Sequence, residues 1–429
     1  MVYGPRPMSL KETKRPKKIV IVATLDTKGE ETEFLKKLIE ERGHCPIIID
    51  CGIRGTPYFK PSISREAVAE AALTTLDRII AGGNKNDAIR AMTLGTKEIV
   101  LRLHRDGELD GIIAIGGVQG TMIGTAAMQA LPFGYPKVMV STVANGQTPF
   151  GPFTGTKDIT MIHSVADILG LNMVTRRVLA EGAGAITGMV EMELDQQASE
   201  RPAVGMTTAG ITTACAMRVR EQLESRGYEA IAFHCNGIGA KAMEELAGAG
   251  RLVGILDITP HDITDYLSGG IFPADPQRME TSARVGLPQV VVPGGTDFIL
   301  FGALASVPAR MLERKYVIHN PIHTHVRANH EEMAAVGRFV AERLARSRGR
   351  AEVLIPSRGF SQLNVAGGPM FEPESDSGFL EGLEAGLAEG AADNVKIEVL
   401  EMHINDAAFA DAAARRLHDM IRGSKKREG

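Results

Sequence analysis

The sequence predicts an α/β protein made of two Rossmann-like domains, each a doubly wound parallel sheet. Three observations carry that expectation. Short apolar, β-branched runs of strand length alternate with amphipathic stretches of helical length. The strands end in turns rich in glycine, threonine and aspartate, as α/β loops do. The order strand, polar turn, helix ending at Arg-Gly, strand occurs twice, at ERGHCPIIID and again at SRGYEAIAFH.

The first half opens with a polar, basic lead-in over residues 1–17, expected to be disordered. A strand follows over Lys18–Thr24, and LDTKGEE leads into a helix over Glu30–Arg42 that Gly43 stops. Pro46–Asp50 is the second strand, so parallel pairing with a right-handed crossover is expected. Ser64–Ile80 and Asn86–Arg105 read as helices, the first capped by Ser62 or Ser64. Gly111–Thr121 (GIIAIGGVQGT) then reads as a buried strand, a glycine turn and the start of a small-residue helix. Lys137–Ser141 and Asp158–Ile162 are strands and Asp167–Ala180 a helix. From Ala183 the pattern loosens, and MELDQQASERP places a linker near residues 192–202. The first domain is therefore 18–195.

The second domain, 202–423, continues with strands at Ala203–Thr208, Tyr228–His234, Leu252–Ile258, Gln289–Val292, Lys315–Ile318, Val353–Ile355 and Lys396–His403. Helices are expected at Ala214–Arg226, Asn329–Arg346, Glu374–Glu389 and Ala407–Ile421.

A chain of 429 residues is too long for one core. Its 44% hydrophobic and 23% charged residues are those of a globular protein, and a net charge of −4 argues against a nucleic-acid partner. No apolar run reaches the roughly 18 residues that span a bilayer, and the N-terminus has no apolar core for secretion. Cys45, Cys51, Cys215 and Cys235 show no CxxC spacing and fit reduced thiols. A cytoplasmic protein with no membrane partner is expected.

In open α/β sheets, ligands sit beyond the C-terminal ends of the strands. In the first domain the glycine turn is the centre of interest. Gly116 and Gly117 allow a sharp turn and close approach, and Gly120 and Thr121 sit at a helix N-terminus, where free N–H groups and the dipole favour an anion. No Gly-Lys-Ser/Thr follows, so this is not a P-loop. Lys28 is placed to reach phosphate oxygens, and Asp50, at the end of the second strand, stands about where a dinucleotide fold keeps its ribose acid. The first turn is TLDTKGEE and not G-x-G-x-x-G, which counts against NAD.

In the second domain, Gly294-Gly295 reads as an oxyanion cradle and Arg358 as a bidentate fork for a carboxylate or phosphate. His319, His323 and His325 form HNPIHTH, where two readings stay open: a zinc-type cluster, or a hydrogen-bonded histidine turn with a general base in it. No carboxylate or cysteine lies close by in sequence, so the second is favoured and no metal is assigned. His234, His319 and His323 are the candidate acid/base residues. Cys235 fits an inert buried thiol better than a nucleophile.

ATLDTKGEE, GGVQGT, STVANGQTPFGPFTGTKDI, HNPIHTHVR, PSRGFS and HINDAAFADA, in that order, resemble one family over nearly the whole chain, about Lys18 to Ile421. It is the ATP-binding domain family of the tomato mosaic virus resistance protein, which has plant and bacterial members. The resemblance implies two Rossmann-like domains, nucleotide binding by the first, and homo-oligomers. Carried over onto matching motifs, it places ATP, with or without magnesium, at Thr27, Lys28, Gly117, Gln119, Gly120 and Thr121. In plants the similar unit is followed by a TIM-barrel domain, so a separate TIM-barrel partner protein is an expectation here. The resulting reading is an ATP-binding protein acting with a small-molecule catabolic enzyme. The alternative is a hydrolase- or lyase-type enzyme acting on a small carboxylate or phosphorylated substrate in the cleft between domains. A third possibility is a scaffold that nucleotide merely stabilises.

Overall fold

The computed structural model describes residues 15–145, 151–192, 201–390 and 394–428. Most of the expected lead-in and most of the expected linker lie outside the described residues. The chain divides into two compact units, Met1–Gln196 and Gln197–Gly429.

The first unit is built on five parallel strands: β1 (Lys18–Ala23), β2 (Cys45–Asp50), β3 (Gly111–Gly116), β4 (Lys137–Ser141) and β5 (Thr160–His163). Their order across the sheet is β2-β1-β3-β4-β5. The sheet is covered on both faces, which is why β3 and β4 are buried at every position. Side chains alternate between the faces. Ile19, Ile21, Ile113 and Ile115 meet Leu35, Ile39, Leu179 and Ile186 on one side. Val20, Val22, Ile112 and Ala114 meet Met92, Ile99, Ile123 and Ala127 on the other. Each of the buried valine, leucine, isoleucine and methionine side chains among them contributes on the order of 1.5–3 kcal/mol relative to exposure.

Two helix boundaries differ from expectation. Ser64–Ile80 is not one helix but two, Arg65–Ala71 and Leu76–Ala81, because Leu73 adopts φ 58° and Thr75 caps a new start. The helix expected at Asp167–Ala180 runs over Met173–Glu191 instead. Asn172 accepts from Val174 N and Thr175 N while Thr175 Oγ1 accepts from Asn172 N, a capping box that fixes the start. The small residues after Ala183 do not loosen the helix. The helix lies close on the sheet one residue earlier, at Gly182, where a Cβ would stand 2.9 Å from Val140 Cγ2.

The second unit has a six-stranded parallel sheet and a separate three-stranded antiparallel one. The parallel strands are β6 (Ala203–Thr208), β7 (Glu229–His234), β8 (Gly254–Asp257), β9 (Gln289–Val291), β13 (Ala351–Pro356) and β14 (Val395–Leu400), ordered β14-β13-β9-β8-β6-β7. Between β9 and β13 the chain inserts β10 (Phe298–Phe301), β11 (Tyr316–Asn320) and β12 (His323–Arg327), ordered β10-β12-β11. This antiparallel sheet is a departure from the purely parallel expectation. β10 and β12 are the strands that sequence reading passed over, and both are short. Behind the sheet, the helices His330–Ala345 and Pro373–Gly390 pack backbone to backbone. Gly378 and Gly382 face His330 and Ala334, and Gly337 faces Phe379, at separations that leave no room for a Cβ.

Among the described residues, no helix is long and apolar enough to cross a membrane.

Candidate functional site

In both sheets the strand order reverses beside the first strand of the unit, between β1 and β3 in the first and between β6 and β8 in the second. The crossovers diverge there, and a crevice opens between the loops.

In the first unit that crevice is a cavity of about 350 Å³. Thr24, Asp26, Thr27 and Lys28 reach it from the loop after β1. Gly116, Gly117, Gln119 and Gly120 reach it from the turn after β3. The turn is steric in origin: a Cβ on Gly116 would stand 2.8 Å from Gly120 Cα, and one on Gly120 3.1 Å from Ile115 O. Gly117 caps the helix Val118–Ala130 without any side-chain acceptor, and the first intrahelical bond is Thr121 N to Gly117 O at 2.8 Å. The N–H groups of Val118, Gln119 and Gly120 therefore have no intrahelical acceptor at the cavity.

The charge lining the cavity is positive. Lys28 Nζ donates to the Ile168 carbonyl, a neutral partner. Arg54 and Lys85 are exposed side chains that line the same cavity. Asp26 is the acid among the lining residues, and its Oδ2 is already engaged by Arg54 N at 2.7 Å. Arg54 and Lys85 were not anticipated. Arg54 lies four residues past the end of β2 and Lys85 opens a helix at Asn84, so neither sits in a motif; only their positions after a strand end and at a helix start pointed to them.

Two of the expected cofactor residues lie beneath the cavity, not in it. Asp50 is fully buried, with Oδ1 accepting from Leu25 N at 3.0 Å and Gly52 N at 2.9 Å. Burial pushes its pKa up against those two hydrogen bonds. It splints the ends of β1 and β2 together and has no surface to offer a ribose. Thr121 is likewise buried; its Oγ1 bonds Gly117 O at 2.8 Å and Ser141 Oγ at 2.6 Å, which fastens the glycine turn to the end of β4. Thr27, Lys28, Gly117, Gln119 and Gly120 are brought together.

In the second unit the equivalent crevice is tied shut. Thr212 Oγ1 and Thr259 Oγ1 bond at 2.7 Å across the loops after β6 and β8, and Thr207 Oγ1 donates to Asp257 Oδ1 at 2.7 Å. Gly294 N donates to Ile258 O at 3.1 Å and Gly295 N to Phe360 O at 2.8 Å. Both N–H groups are thus spent, which corrects the expectation of an oxyanion cradle there. Arg358 is an exposed side chain whose Nη2 pairs with Glu401 Oε1 at 3.0 Å, a surface ion pair that engages one nitrogen of the fork.

The histidines separate. His319 stacks on His325 with ring centroids 5.1 Å apart, His325 on Phe298 at 4.3 Å, and Phe298 on His261 at 4.5 Å. His323 meets Phe272 edge-on at 5.9 Å. His234 is exposed at the end of β7 and takes no part in the stack. His261 was missed, although HDITD places His261 and Asp265 on one helical face. Its Nδ1 bonds Gly295 O at 2.8 Å, and its Nε2 stands 3.6 Å from Asp265 Oδ1, an ion-pair separation. Burial alone would lower its pKa, but the Asp265 carboxylate outweighs this and holds it above the ordinary value. His325 is pushed the other way, down to about 3, by burial and by its histidine neighbours. Among the described residues, no three His, Cys, Asp or Glu side chains gather to hold a metal ion. Cys235 is buried, and burial and Asp262 push its thiol well up, which opposes thiolate formation.

Family comparisons agree with the architecture. Residues 17–195 match the N-terminal domain model of Uncharacterised protein family (UPF0261), and residues 201–421 its C-terminal domain model. A UPF0261 protein of Clostridium tetani is 38% identical over 94% of this chain and 99% of its own length. One of Rhizobium meliloti is 39% identical over the same shares. The ToMV resistance protein Tm-1(GCR237) of Solanum lycopersicum is 34% identical over 76% of this chain and 43% of its own length. The chain belongs to the UPF0261 family and is a homologue of that resistance protein.

Proposed function

We propose that the first unit binds the phosphate chain of a nucleotide, ATP with or without magnesium, in the crevice between β1 and β3. One observation carries the reading. The loops after the two strands that flank the reversal line a single cavity, and that cavity presents Lys28, Arg54 and Lys85 against Asp26. Its volume of about 350 Å³ is within the range of small-molecule sites, roughly 300–1,000 Å³. The N–H groups of residues 118–120 would take phosphate oxygens, and the cations would neutralise the rest of the chain. The likeness to the resistance protein's family supports adenine nucleotide over other anions. In this reading the protein is an ATP-binding, cytoplasmic homo-oligomer that acts with a small-molecule catabolic enzyme, a separate TIM-barrel protein among the candidates. Free Cys45, Cys51, Cys215 and Cys235 support the compartment.

Thermal-shift titration of the purified protein with ATP, ADP, NAD and phosphate, with and without magnesium, tests it. The expected result is a concentration-dependent rise with ATP that K28A/K85A loses. No rise with any nucleotide would end the nucleotide reading.

A second reading, an enzyme for a small carboxylate or phosphorylated substrate, is favoured by the stack of His319 on His325 that continues through Phe298 to His261 beside Asp265, with His323 on Phe272. It predicts a midpoint rise with small carboxylates that H319A/H323A abolishes and K28A/K85A leaves in place.

A further inference from the structure

The second unit carries a cationic cavity that none of the above uses. It has a volume of about 450 Å³, larger than the first-unit crevice. Its lining includes Arg284, Arg343, Arg346 and Arg348 against one acid, Glu280. The four arginines come from two places that the fold draws together. Arg284 sits on the helix Glu280–Val285, and the others at or just past the end of the helix His330–Ala345. The backbone joins them through Arg348 N to Ala283 O at 3.0 Å.

Most of this charge is uncompensated. Arg284, Arg346 and Arg348 are exposed, and among the described residues their guanidinium groups make no hydrogen bond or ion pair. Arg343 is different. Its guanidinium lies 4.2 Å over the Phe339 ring, donates to Pro276 O at 3.1 Å and to Glu342 Oε2 at 3.2 Å, and stands 3.6 Å from Glu280 Oε1. Its Nε is buried with no hydrogen-bond partner. One arginine at each helix end is what the helix dipole favours. Four around one cavity, in a protein of net charge −4, are more than that effect requires, and their mutual repulsion is relieved by an anion.

We propose that this cavity is a binding site for a small polyphosphate anion. Forked guanidinium donors match phosphoryl oxygens bidentately, and a cavity lined by Arg284, Arg346 and Arg348 suits a ligand with two or more phosphoryl groups. The residues involved immediately precede β9 and β13. The site therefore opens at the N-terminal ends of those strands, away from the tips where α/β chemistry takes place, and an occupant there is a regulator or a stabiliser and not a substrate. The phosphoryl groups can belong to free polyphosphate or to the tail of a nucleotide.

Calorimetric titration separates the possibilities. The full-length K28A/K85A protein, which lacks two of the three first-unit cations, is titrated with inorganic tripolyphosphate, with ATP and with hexaglutamate at low salt. Tripolyphosphate is expected to bind, and R346E/R348E in the same background to weaken it at least tenfold while the circular-dichroism melt is unchanged. R284Q, a milder change, is expected to weaken it about threefold. ATP binding in this background that R346E/R348E weakens would assign the phosphoryl groups to a nucleotide tail, and tripolyphosphate alone to free polyphosphate. Three results overturn the proposal: no tripolyphosphate binding, equal weakening by R251E/R310E at exposed arginines outside the cavity, or tighter binding of hexaglutamate. Because Lys28 and Lys85 are absent throughout and the R346E/R348E change reads the arginine cavity alone, failure here leaves the nucleotide reading untouched, and the reverse also holds.

Discussion

The two units share a strand order around their reversal points but use the resulting crevice in opposite ways. In the first, the loops after β1 and β3 stand apart around a cavity lined with cations and open helix N–H groups. In the second, the loops after β6 and β8 are bonded across by Thr212 and Thr259, and the Gly294 and Gly295 N–H groups are already donated. Topology thus sets where a crevice can form. Whether it is open depends on a few hydroxyl and backbone bonds at its lip. Glycine pairs that look alike in sequence, Gly116-Gly117 and Gly294-Gly295, do different work for that reason.

The contrast can be broken most severely at Gly116. G116A places a methyl group 2.8 Å from Gly120 Cα, so the turn must move. A stability loss of about 1–3 kcal/mol by chemical denaturation is expected. On the nucleotide reading, ATP affinity should fall by more than about a hundredfold, since the phosphate contacts proposed for the turn would be misplaced together. Unchanged affinity would mean that the turn does not hold the ligand.

The second unit is expected to respond to protons. Burial and its histidine neighbours push folded His325 down to about 3, against 6.5 unfolded, so below about pH 6.5 the unfolded chain binds a proton that the folded chain refuses. Stability contributed by this group is complete above that pH and is lost as pH falls toward 3, at about 1.4 kcal/mol per unit. H325F keeps a flat ring between Phe298 and His319, and His325 Nδ1 has no hydrogen bond to lose. Relative to its own value at pH 7, H325F should gain about 2 kcal/mol over the wild type at pH 5, read from paired urea melts. Parallel pH profiles would refute this. Asp376 works in the opposite sense. Burial lifts its carboxyl to about 6 from 3.8, so it adds stability as pH falls across that interval, and the measurement should be made against this background.

A smaller effect is expected from K85A alone. Removing one of three cavity cations should weaken ATP about tenfold in calorimetry, with no loss of melting temperature in the absence of ligand. The smallest is expected from D50N. Its retained Oδ1 still accepts from Leu25 N and Gly52 N, so ATP affinity should stay within about twofold. A tenfold loss would instead put Asp50 in contact with ligand.

The parallel sheets were legible because strands buried on both faces are written as unbroken apolar runs: GIIAIG and KVMVS need no tertiary information. The turn at Gly116–Gly120 and the loop bearing Lys28 were legible as strand ends. The antiparallel strands β10 and β12 were not. FILF reads as a generic apolar run, and HTHVR hides a strand behind polar letters because its partners, not its composition, bury it. Asp50 misled because sequence gives the end of a strand but not whether a carboxylate points outward or back to two N–H groups. Arg54, Lys85 and His261 became visible only through cavity lining and ring stacking, which bring together residues distant along the chain.

The glycine seam between the helices His330–Ala345 and Pro373–Gly390 has a consequence for how this part of the chain can vary. Contacts made by backbone and by residues without rotamers freeze almost no side-chain freedom when they form. The same economy removes slack, since no flexible side chain is present to swing aside for an added methyl. Substitution along the seam should be confined to glycine, with alanine and serine already strained. The leucine- and isoleucine-lined faces of the sheets, by contrast, can exchange volume among neighbours.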